Sequence, residues 1–238
     1  MPFYGIKPIT AKNLSCAKRV QSKTFSVSIM SFYDKIILPK LLHFACGLGV
    51  VTDQRKKIVP FASGRVLEIG IGSGLNLPLY QSGRIEKVVG LDPSHEMLDI
   101  AARGLQKVDF AVDFITASAE QIPLPDKAVD TVLVTYTMCT IPDIDAALSE
   151  MRRVLKPGGE LIFCEHGLSK DEKVRRWQQR MDPVWGKFTG GCHINRNMPA
   201  LIENGGFQIK TLEQLYIPGW KPACFNFLGR AAKLGVTQ

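Results

Sequence analysis

From residue 65 onward, short apolar and β-branched runs alternate with stretches whose apolar positions recur at helical spacing. The β-rich runs predict strands at 65–70, 87–92, 108–116, 129–136 and 159–167. The intervening stretches predict helices at 75–81, 94–103, 144–155 and 170–181. Strands that alternate with helices in this way are typical of a parallel sheet covered on both faces.

Start and stop signals support two of these helices. Ser94 precedes the second helix as an N-cap, and Glu96 lies in the first turn, where an acidic side chain is favoured. Pro142 and Asp143 precede the helix near 144, and Pro-Gly-Gly at 157–159 ends it and leads into the next strand.

Two segments flank this alternation. Residues 32–46 place apolar side chains at roughly helical spacing, and Pro39 is expected to kink or split that helix. This segment either packs on the sheet or forms a lid or membrane-surface element that admits a lipophilic molecule. After the alternation, 207–212 and 223–230 predict a final pair of strands.

The chain has no internal repeat and no linker long enough to divide it, which indicates one α/β domain. Within it we distinguish a helical lid at 31–60, a cofactor-binding core at 65–167 and a substrate-side part at 168–238. Residues 1–30 are interpreted as a disordered extension, as an organelle transit segment, or as a translated stretch upstream of a start at Met30.

Charge is uneven along the chain. The formal net charge of the 238 residues is +8, and residues 1–30 contribute five basic side chains and no acidic one. The remainder is close to neutral, so a nucleic-acid partner is not expected.

The six cysteines include no Cys-x-x-Cys pair, so neither a disulfide framework nor a zinc site is expected. Reduced thiols favour a cytoplasmic location. Peripheral membrane contact and organelle targeting by residues 1–30 stay open, and the sequence indicates no oligomeric state. No stretch approaches the run of about 18 apolar residues that a membrane-spanning helix needs.

Three glycines, Gly70, Gly72 and Gly74, lie between the first predicted strand and the next helix. Such a turn lets a ligand approach the backbone closely, because no Cβ intervenes and positive φ costs little. A dinucleotide site needs its third glycine at the position that Leu75 occupies. Glu68 beside the loop suits S-adenosylmethionine instead, because that molecule carries an ammonium and no phosphate.

Two further strand ends point to the same crevice. Asp92 ends the second strand, where an acid can accept both hydroxyls of a ribose, and the fourth strand ends at Thr135. Ligands of open α/β sheets bind outside the carboxyl ends of the strands, so three strand ends are expected to converge on one site.

Four motifs follow one another in the order found in class I S-adenosylmethionine-dependent methyltransferases. They are VLEIGIGSGLN, LDPSHEML, ASAEQIPLPDKAVDTVLVTYTMCTIPD and EMRRVLKPGGELIFCEHG. The chain resembles that family over roughly 31–230, most closely the branch of ubiquinone/menaquinone C-methyltransferases, phospholipid N-methyltransferases and alkyl thiol methyltransferases. The later stretch WQQRMDPVWGKFTGGCHINR is similar to the thiol group.

The resemblance implies a Rossmann-like α/β fold with S-adenosylmethionine as cofactor. Its sheet would have seven mainly parallel strands, helices on both faces and an antiparallel last strand. The loop glycines would line the methionine part, Asp92 would hold the ribose, and Pro93 and Met97 would border the adenine. Ser118 stands where the family more often has Asp, so its hydroxyl is a weaker acceptor for the adenine amino group. The expected cofactor-binding set is Glu68, Gly70, Gly72, Gly74, Asn76, Asp92, Pro93, Met97, Ser118, Ala119, Glu120 and Thr135.

Methyl transfer from a sulfonium is an in-line displacement, so positioning can supply most of the catalysis. A general base is needed only if the acceptor loses a proton, as a thiol does. A metal site is not expected, since Cys192 and His193 are adjacent and no other ligands are spaced to join them. The candidate catalytic residues are Tyr136, His166, Cys192 and His193, with Cys139 near the crevice and Tyr33 as a lid residue.

We therefore expect an enzyme that methylates a small or lipophilic acceptor: a thiol, a phospholipid amine or a quinone ring. A nucleic-acid methyltransferase is disfavoured, because Thr-Tyr-Thr-Met at 135–138 replaces an Asn/Asp-Pro-Pro-aromatic motif. Two further classes of protein fit part of the pattern: a non-catalytic S-adenosylmethionine-binding protein and an NAD-dependent oxidoreductase.

Overall fold

The computed structural model describes residues 47–234, which form a seven-stranded sheet with helices on both faces. The helices are α1 (Gly49–Ile58), α2 (His95–Arg103), α3 (Ile144–Val154), α4 (Glu172–Phe188) and α5 (Met198–Asn204). The strands are β1 (Gly64–Ile69), β2 (Ile85–Asp92), β3 (Ala111–Thr116), β4 (Val129–Thr135), β5 (Leu155–His166), β6 (Phe207–Tyr216) and β7 (Phe225–Lys233).

The strand order across the sheet is β3-β2-β1-β4-β5-β7-β6. The first five strands of this order run parallel, whereas β7 pairs antiparallel with both β5 and β6. The expected mainly parallel sheet with an antiparallel last strand is therefore confirmed. The order switches direction between β1 and β4, and ligands of such sheets bind in the crevice at that switch point.

Alternation along the central strands sends side chains into two separate cores. In β1, Leu67 and Ile69 join one apolar cluster, whereas Val66 joins the other. Helices α3 and α5 cover the first cluster. Helices α1 and α2 cover the second, through Ile58 and Leu98. Because both faces of these strands are buried, they read in the sequence as nearly continuous apolar runs.

The predicted helix at 75–81 is wrong. Only one 3₁₀ turn, Leu77–Leu79, forms there, and the chain is extended again at Tyr80. Pro78 inside the turn has no N–H to donate to a helical hydrogen bond. The helix predicted at 170–181 is longer than expected, because α4 continues through Pro183 to Phe188. The structure also adds α5, which the apolar pattern does not reveal.

The predicted helix at 32–46 with Pro39, the lid residue Tyr33 and the basic segment 1–30 all lie outside the described residues. The division of the chain into lid, core and substrate-side part stays a prediction. Within 47–234, no helix combines the length and the apolar character needed to cross a membrane.

A substitution at Gly229 in β7 tests how tightly the β6–β7 hairpin packs. A Cβ at Gly229 would lie 2.3 Å from the carbonyl oxygen of Thr211 and 2.6 Å from a ring carbon of Phe163. Because the Thr211 backbone cannot move aside cheaply, Gly229→Ala is expected to lower the free energy of unfolding by about 2 kcal/mol or more. Urea denaturation measures this change.

The matched control is Gly83→Ala, since a Cβ at Gly83 meets nothing within 4 Å. The control variant should stay within about 0.5 kcal/mol of the wild type. Equal stability of the two variants would contradict the close approach at Gly229.

Candidate active site

A cavity of about 440 Å³ lies at the carboxyl ends of β1, β2 and β4. Its walls combine the glycine loop after β1, the start of α2, the turn after β3 and the segment after β4. A volume of this size suits a cofactor-sized ligand. Nine of the twelve expected cofactor-binding residues line it: Gly70, Gly72, Asp92, Pro93, Met97, Ser118, Ala119, Glu120 and Thr135.

The remaining three expected residues shape the glycine loop. Glu68 and Asn76 are buried, and the Asn76 Nδ2 donates to Glu68 Oε1 at 2.8 Å. The Tyr80 hydroxyl donates to Glu68 Oε2 at 2.6 Å. Gly74 lies close to α2, because a Cβ at this position would come within 3.2 Å of the Ala101 Cβ. These contacts hold the loop in place under the cavity.

Two residues at the cavity floor explain why the loop needs glycine and an acid. Gly70 has a φ of 65°, and a Cβ there would lie 2.3 Å from side-chain atoms of Thr137. Asp92 accepts from the Gly72 N–H at 2.9 Å and from the Ser94 N–H at 2.9 Å. The carboxylate of Asp92 is therefore fixed at the end of β2, and its burial raises its pKa.

Burial raises the pKa of Glu68 to about 7. The hydrogen bonds from Tyr80 and Asn76 and the charge of Arg55 act in the opposite direction, without cancelling the loss of hydration. A single buried carboxylate thus titrates near neutral pH directly beneath the glycine loop.

Arg55 of α1 is a cavity residue that sequence analysis misses. Its side chain is buried, and its Nη1 donates to Asn76 Oδ1 at 3.0 Å and to the Thr135 hydroxyl. Its Nε is also buried and makes no hydrogen bond to the described residues. In the sequence nothing distinguishes Arg55 from Lys56 and Lys57, which form ion pairs on the surface.

Ser118 and Glu120 face the far end of the cavity. The Ser118 hydroxyl donates to the Glu120 carboxylate, and the Asp143 N–H donates to Glu120 Oε1 at 3.3 Å. Ser118 is thus already engaged, and the carboxylate of Glu120 stands at this edge.

Tyr136 lines the cavity where β4 ends. It has a φ of 54°, which is uncommon for a bulky residue and marks local backbone strain. Its hydroxyl donates to Asn226 Oδ1 at 2.6 Å, and the Arg55 guanidinium carbon lies 5.1 Å from its ring centroid. Of the four candidate catalytic residues, Tyr136 is the one that lines the cavity.

His166 lies next to Tyr136, and Cys192 lies next to His166. The His166 ring stacks on the Tyr136 ring with centroids 6.4 Å apart, and its Nε2 lies 3.3 Å from Cys192 Sγ. The Cys139 thiol completes a cluster in which the ligand-type atoms all lie within 4.8 Å of one another. A hydrogen bond with Cys139 and the nearby His166 lower the pKa of the Cys192 thiol.

His193 points away from this cluster, as expected for a residue adjacent to Cys192. Its Nδ1 lies 2.7 Å from Asp182 Oδ2, and its side chain is 41% exposed. The expectation that no further ligand-type side chain joins Cys192 is wrong, because the fold brings Cys139 and His166 to it. The separation of these residues along the chain conceals their proximity.

The sheet order, the glycine loop and the acid at the end of β2 together define a class I S-adenosylmethionine-dependent methyltransferase. The solved structures agree on the fold. A methyltransferase from Thermotoga maritima, described as a possible histamine N-methyltransferase, superposes with a TM-score of 0.60 at 23% identity and covers 85% of this chain and 98% of its own. Geranyl diphosphate methyltransferase, solved with S-adenosylmethionine, gives a TM-score of 0.62 at 13% identity, with 77% and 85% covered.

Sequence comparisons identify the family within this class of methyltransferases. Residues 67–163 match the Methyltransferase domain family. Thiol S-methyltransferase TMT1B of Rattus norvegicus is 31% identical over 171 residues, which are 71% of this chain and 70% of that protein. Demethylmenaquinone methyltransferase of Thermus thermophilus is 37% identical over 177 residues, with 72% and 80% covered. The chain belongs to this family of S-adenosylmethionine-dependent methyltransferases and is itself such an enzyme.

Glu68 makes stability depend on pH near neutrality. Its pKa is about 7 in the folded chain against an ordinary value of 4.5, so the folded state holds this proton where the unfolded state has lost it. The stabilisation of the folded state by this proton is therefore complete below about pH 4.5 and is lost as the pH rises toward 7. The free energy of unfolding changes over this range by at most roughly 1.4 kcal/mol per pH unit.

Glu68→Gln, which retains an acceptor and adds no charge, is expected to remove this part of the pH dependence. Thermal unfolding of both proteins between pH 5 and 8 measures this pH dependence. The stability of the variant relative to that of the wild type should increase as the pH rises. A constant difference between the two proteins over this range would contradict the buried titration.

Proposed function

We propose that S-adenosylmethionine lies along the carboxyl ends of β1, β2 and β4, with its methionine end at Arg55. The guanidinium, which lines the cavity, binds the carboxylate of the cofactor. Gly70 and Gly72 offer the backbone surface for the methionine part, and Asp92 accepts from the ribose hydroxyls. The expected role of Glu68 changes accordingly: it positions the loop through Asn76.

The adenine lies between apolar side chains at the opposite end of the cavity. Pro93, Met97 and Ile141 supply this surface. The carboxylate of Glu120 accepts from the adenine amino group and takes the place of the Asp that the family more often has at 118. Ala119 and Ser118 border the ring edge.

The acceptor in this proposal is a small thiol that enters beside Tyr136. This proposal rests on the sulfur-rich cluster of Cys139, Cys192 and His166, which adjoins Tyr136 at the cavity. The cofactor would supply an electrophilic methyl group on its sulfonium sulfur, and the acceptor would meet it as a thiolate whose proton had passed to solvent. His193 supports this cluster from outside through Asp182.

A quinone ring is the second candidate acceptor. The relative from Thermus thermophilus matches this chain over 80% of its own length and is a demethylmenaquinone methyltransferase. A ring carbon would need the same in-line approach to the methyl group, and Tyr136 would border it.

Incubation of the full chain with methyl-labelled S-adenosylmethionine distinguishes the acceptors. A small alkyl thiol, a demethylated quinol and phosphatidylethanolamine vesicles are offered separately and in competition. We expect a labelled thioether as the main product. A labelled quinol with no thioether would establish the second candidate, and label in the phospholipid alone would refute both.

Arg55 is expected to determine affinity for the cofactor. Arg55→Gln removes a charge-assisted contact with the carboxylate, and a loss of about 1.5–3 kcal/mol raises the Kd for S-adenosylhomocysteine about 10- to 150-fold. Isothermal titration calorimetry measures it. Lys56→Gln is the matched control, because it removes the same charge from the same helix at the exposed surface.

Arg55 also bonds to Asn76 and Thr135, so the folded state of the variant is checked by its thermal unfolding without ligand. An unchanged Kd in a folded Arg55→Gln chain would place the cofactor carboxylate elsewhere.

A further inference from the structure

Three side chains with soft or borderline metal-binding atoms meet beside the cavity. The Cys139 and Cys192 sulfurs and a ring nitrogen of His166 all lie within 4.8 Å of one another, and His166 Nε2 lies 3.3 Å from Cys192 Sγ. Cys139 follows β4, His166 ends β5, and Cys192 lies in the turn after α4. The cluster therefore joins three parts of the chain that are distant in sequence.

The backbone around this cluster is held in place by hydrogen bonds. Glu165 Oε1 accepts from the N–H groups of Thr137 and Met138 at 2.8 and 3.0 Å, which fixes the segment that carries Cys139. The His193 N–H donates to the Cys139 carbonyl oxygen at 2.9 Å, which joins the Cys192 turn to that segment.

Two side chains reinforce the same junction. Asp182 accepts from the Ile194 N–H at 2.8 Å, and Arg196 donates to the carbonyl oxygens of Met138 and Ile141. The positions of the two cysteines are thus set before any ligand binds, which is the arrangement that a metal site requires.

We propose that Cys139, His166 and Cys192 bind a zinc ion with one coordination position left open. Two cysteines and one histidine suit zinc, and three protein ligands with an open fourth position are typical of its catalytic sites. Zinc–sulfur bonds of about 2.3 Å and zinc–nitrogen bonds of about 2.0 Å place tetrahedral ligand atoms roughly 3.5–3.8 Å apart. The 3.3 Å between Cys192 Sγ and His166 Nε2 is already close to this range, whereas the other separations, which are at most 4.8 Å, would shorten by up to about 1 Å on binding.

Charge balance supports the same ion. Cys139 and Cys192 are 2% and 8% exposed, so charge placed on them must be balanced locally. On binding the ion, the two thiols would release their protons to solvent, and one divalent cation would balance the two thiolates beside a neutral imidazole. The ion would also link the cavity-lining segment at Thr140 to the turn at Gly190.

One property of His166 sets the design of the experiment. Its Nδ1 is buried and makes no hydrogen bond to the described residues, whereas a ligating histidine usually donates this N–H to an acceptor. Loss of such a partner typically weakens metal binding about 10- to 100-fold. Zinc retained through purification therefore underestimates binding, and a direct titration is needed.

The test uses the full chain, reduced with a phosphine and freed of metal by dialysis. Titration with Co²⁺ is followed by absorbance, and Zn²⁺ then competes for the site. We expect one Co²⁺ per chain, a thiolate-to-cobalt charge-transfer band in the near ultraviolet, tetrahedral bands in the visible, and displacement by one equivalent of Zn²⁺.

Three variants assign the ligands. Cys139→Ser and Cys192→Ser should each lose about half of the charge-transfer intensity per bound ion and bind more weakly, whereas His166→Gln should weaken binding and keep both thiolates. Cys224→Ser is the control, because Cys224 is a free thiol outside the cluster. Thermal unfolding without metal verifies that each variant folds.

The proposal is overturned if the reduced, folded wild type shows no saturable charge-transfer band with Co²⁺ up to about one millimolar. It is overturned equally if the Cys224→Ser variant loses the band while the three cluster variants keep it. These readouts require no methyl acceptor, so their outcome is independent of whether the acceptor is a thiol.

Discussion

The loops of this site depend on two carboxylates that have lost their hydration on burial. Glu68 in β1 and Glu165 in β5 are both fully buried, and burial raises the pKa of each to about 7. Each carboxylate holds a loop through hydrogen bonds, Glu68 through Asn76 and Tyr80 and Glu165 through the backbone at 137–138. The hydrogen bonds only partly offset the lost hydration. Ordering these loops therefore costs free energy, which burial of the apolar core must offset.

These two loops meet at one point, which explains the strict need for glycine there. Thr137 is positioned by Glu165, and its side chain occupies the space that a Cβ of Gly70 would need. The glycine loop can therefore pass over the end of β4 only without a side chain. Both buried acids therefore shape the cavity floor, although they lie in strands separated by β4.

The sequence predicts most of the fold and most of the residues that line the candidate cofactor cavity, for a physical reason. Strand ends are visible as the points where apolar runs stop, and parallel strands bring those ends to one edge. Asp92 and Thr135 are found in this way. The prediction of a helix at 75–81 is wrong, because its apolar spacing looks helical although the chain forms a single 3₁₀ turn and becomes extended at Tyr80.

The residues that sequence analysis misses depend on contacts between distant segments. Arg55 reaches Thr135 across 80 positions, and no local pattern distinguishes it from its basic neighbours. Cys139, His166 and Cys192 likewise come together only after β4, β5 and the turn following α4 are in place. Periodicity reports which face of an element is buried, but not which loops of the finished fold will touch.

This difference has a consequence for specificity. The proposed donor side lies at strand ends, and the solved methyltransferases share the fold that carries these strands at TM-scores near 0.6 with 23% identity or less. The acceptor side that we propose comprises the segment after β4, the end of β5 and the turn after α4, which the sheet does not dictate. Relatives that act on thiols and on quinones can therefore retain one donor site and differ in these segments. In this chain the same segments carry Tyr136 and the Cys139–His166–Cys192 cluster, so under the proposed function these residues would determine which acceptor is methylated.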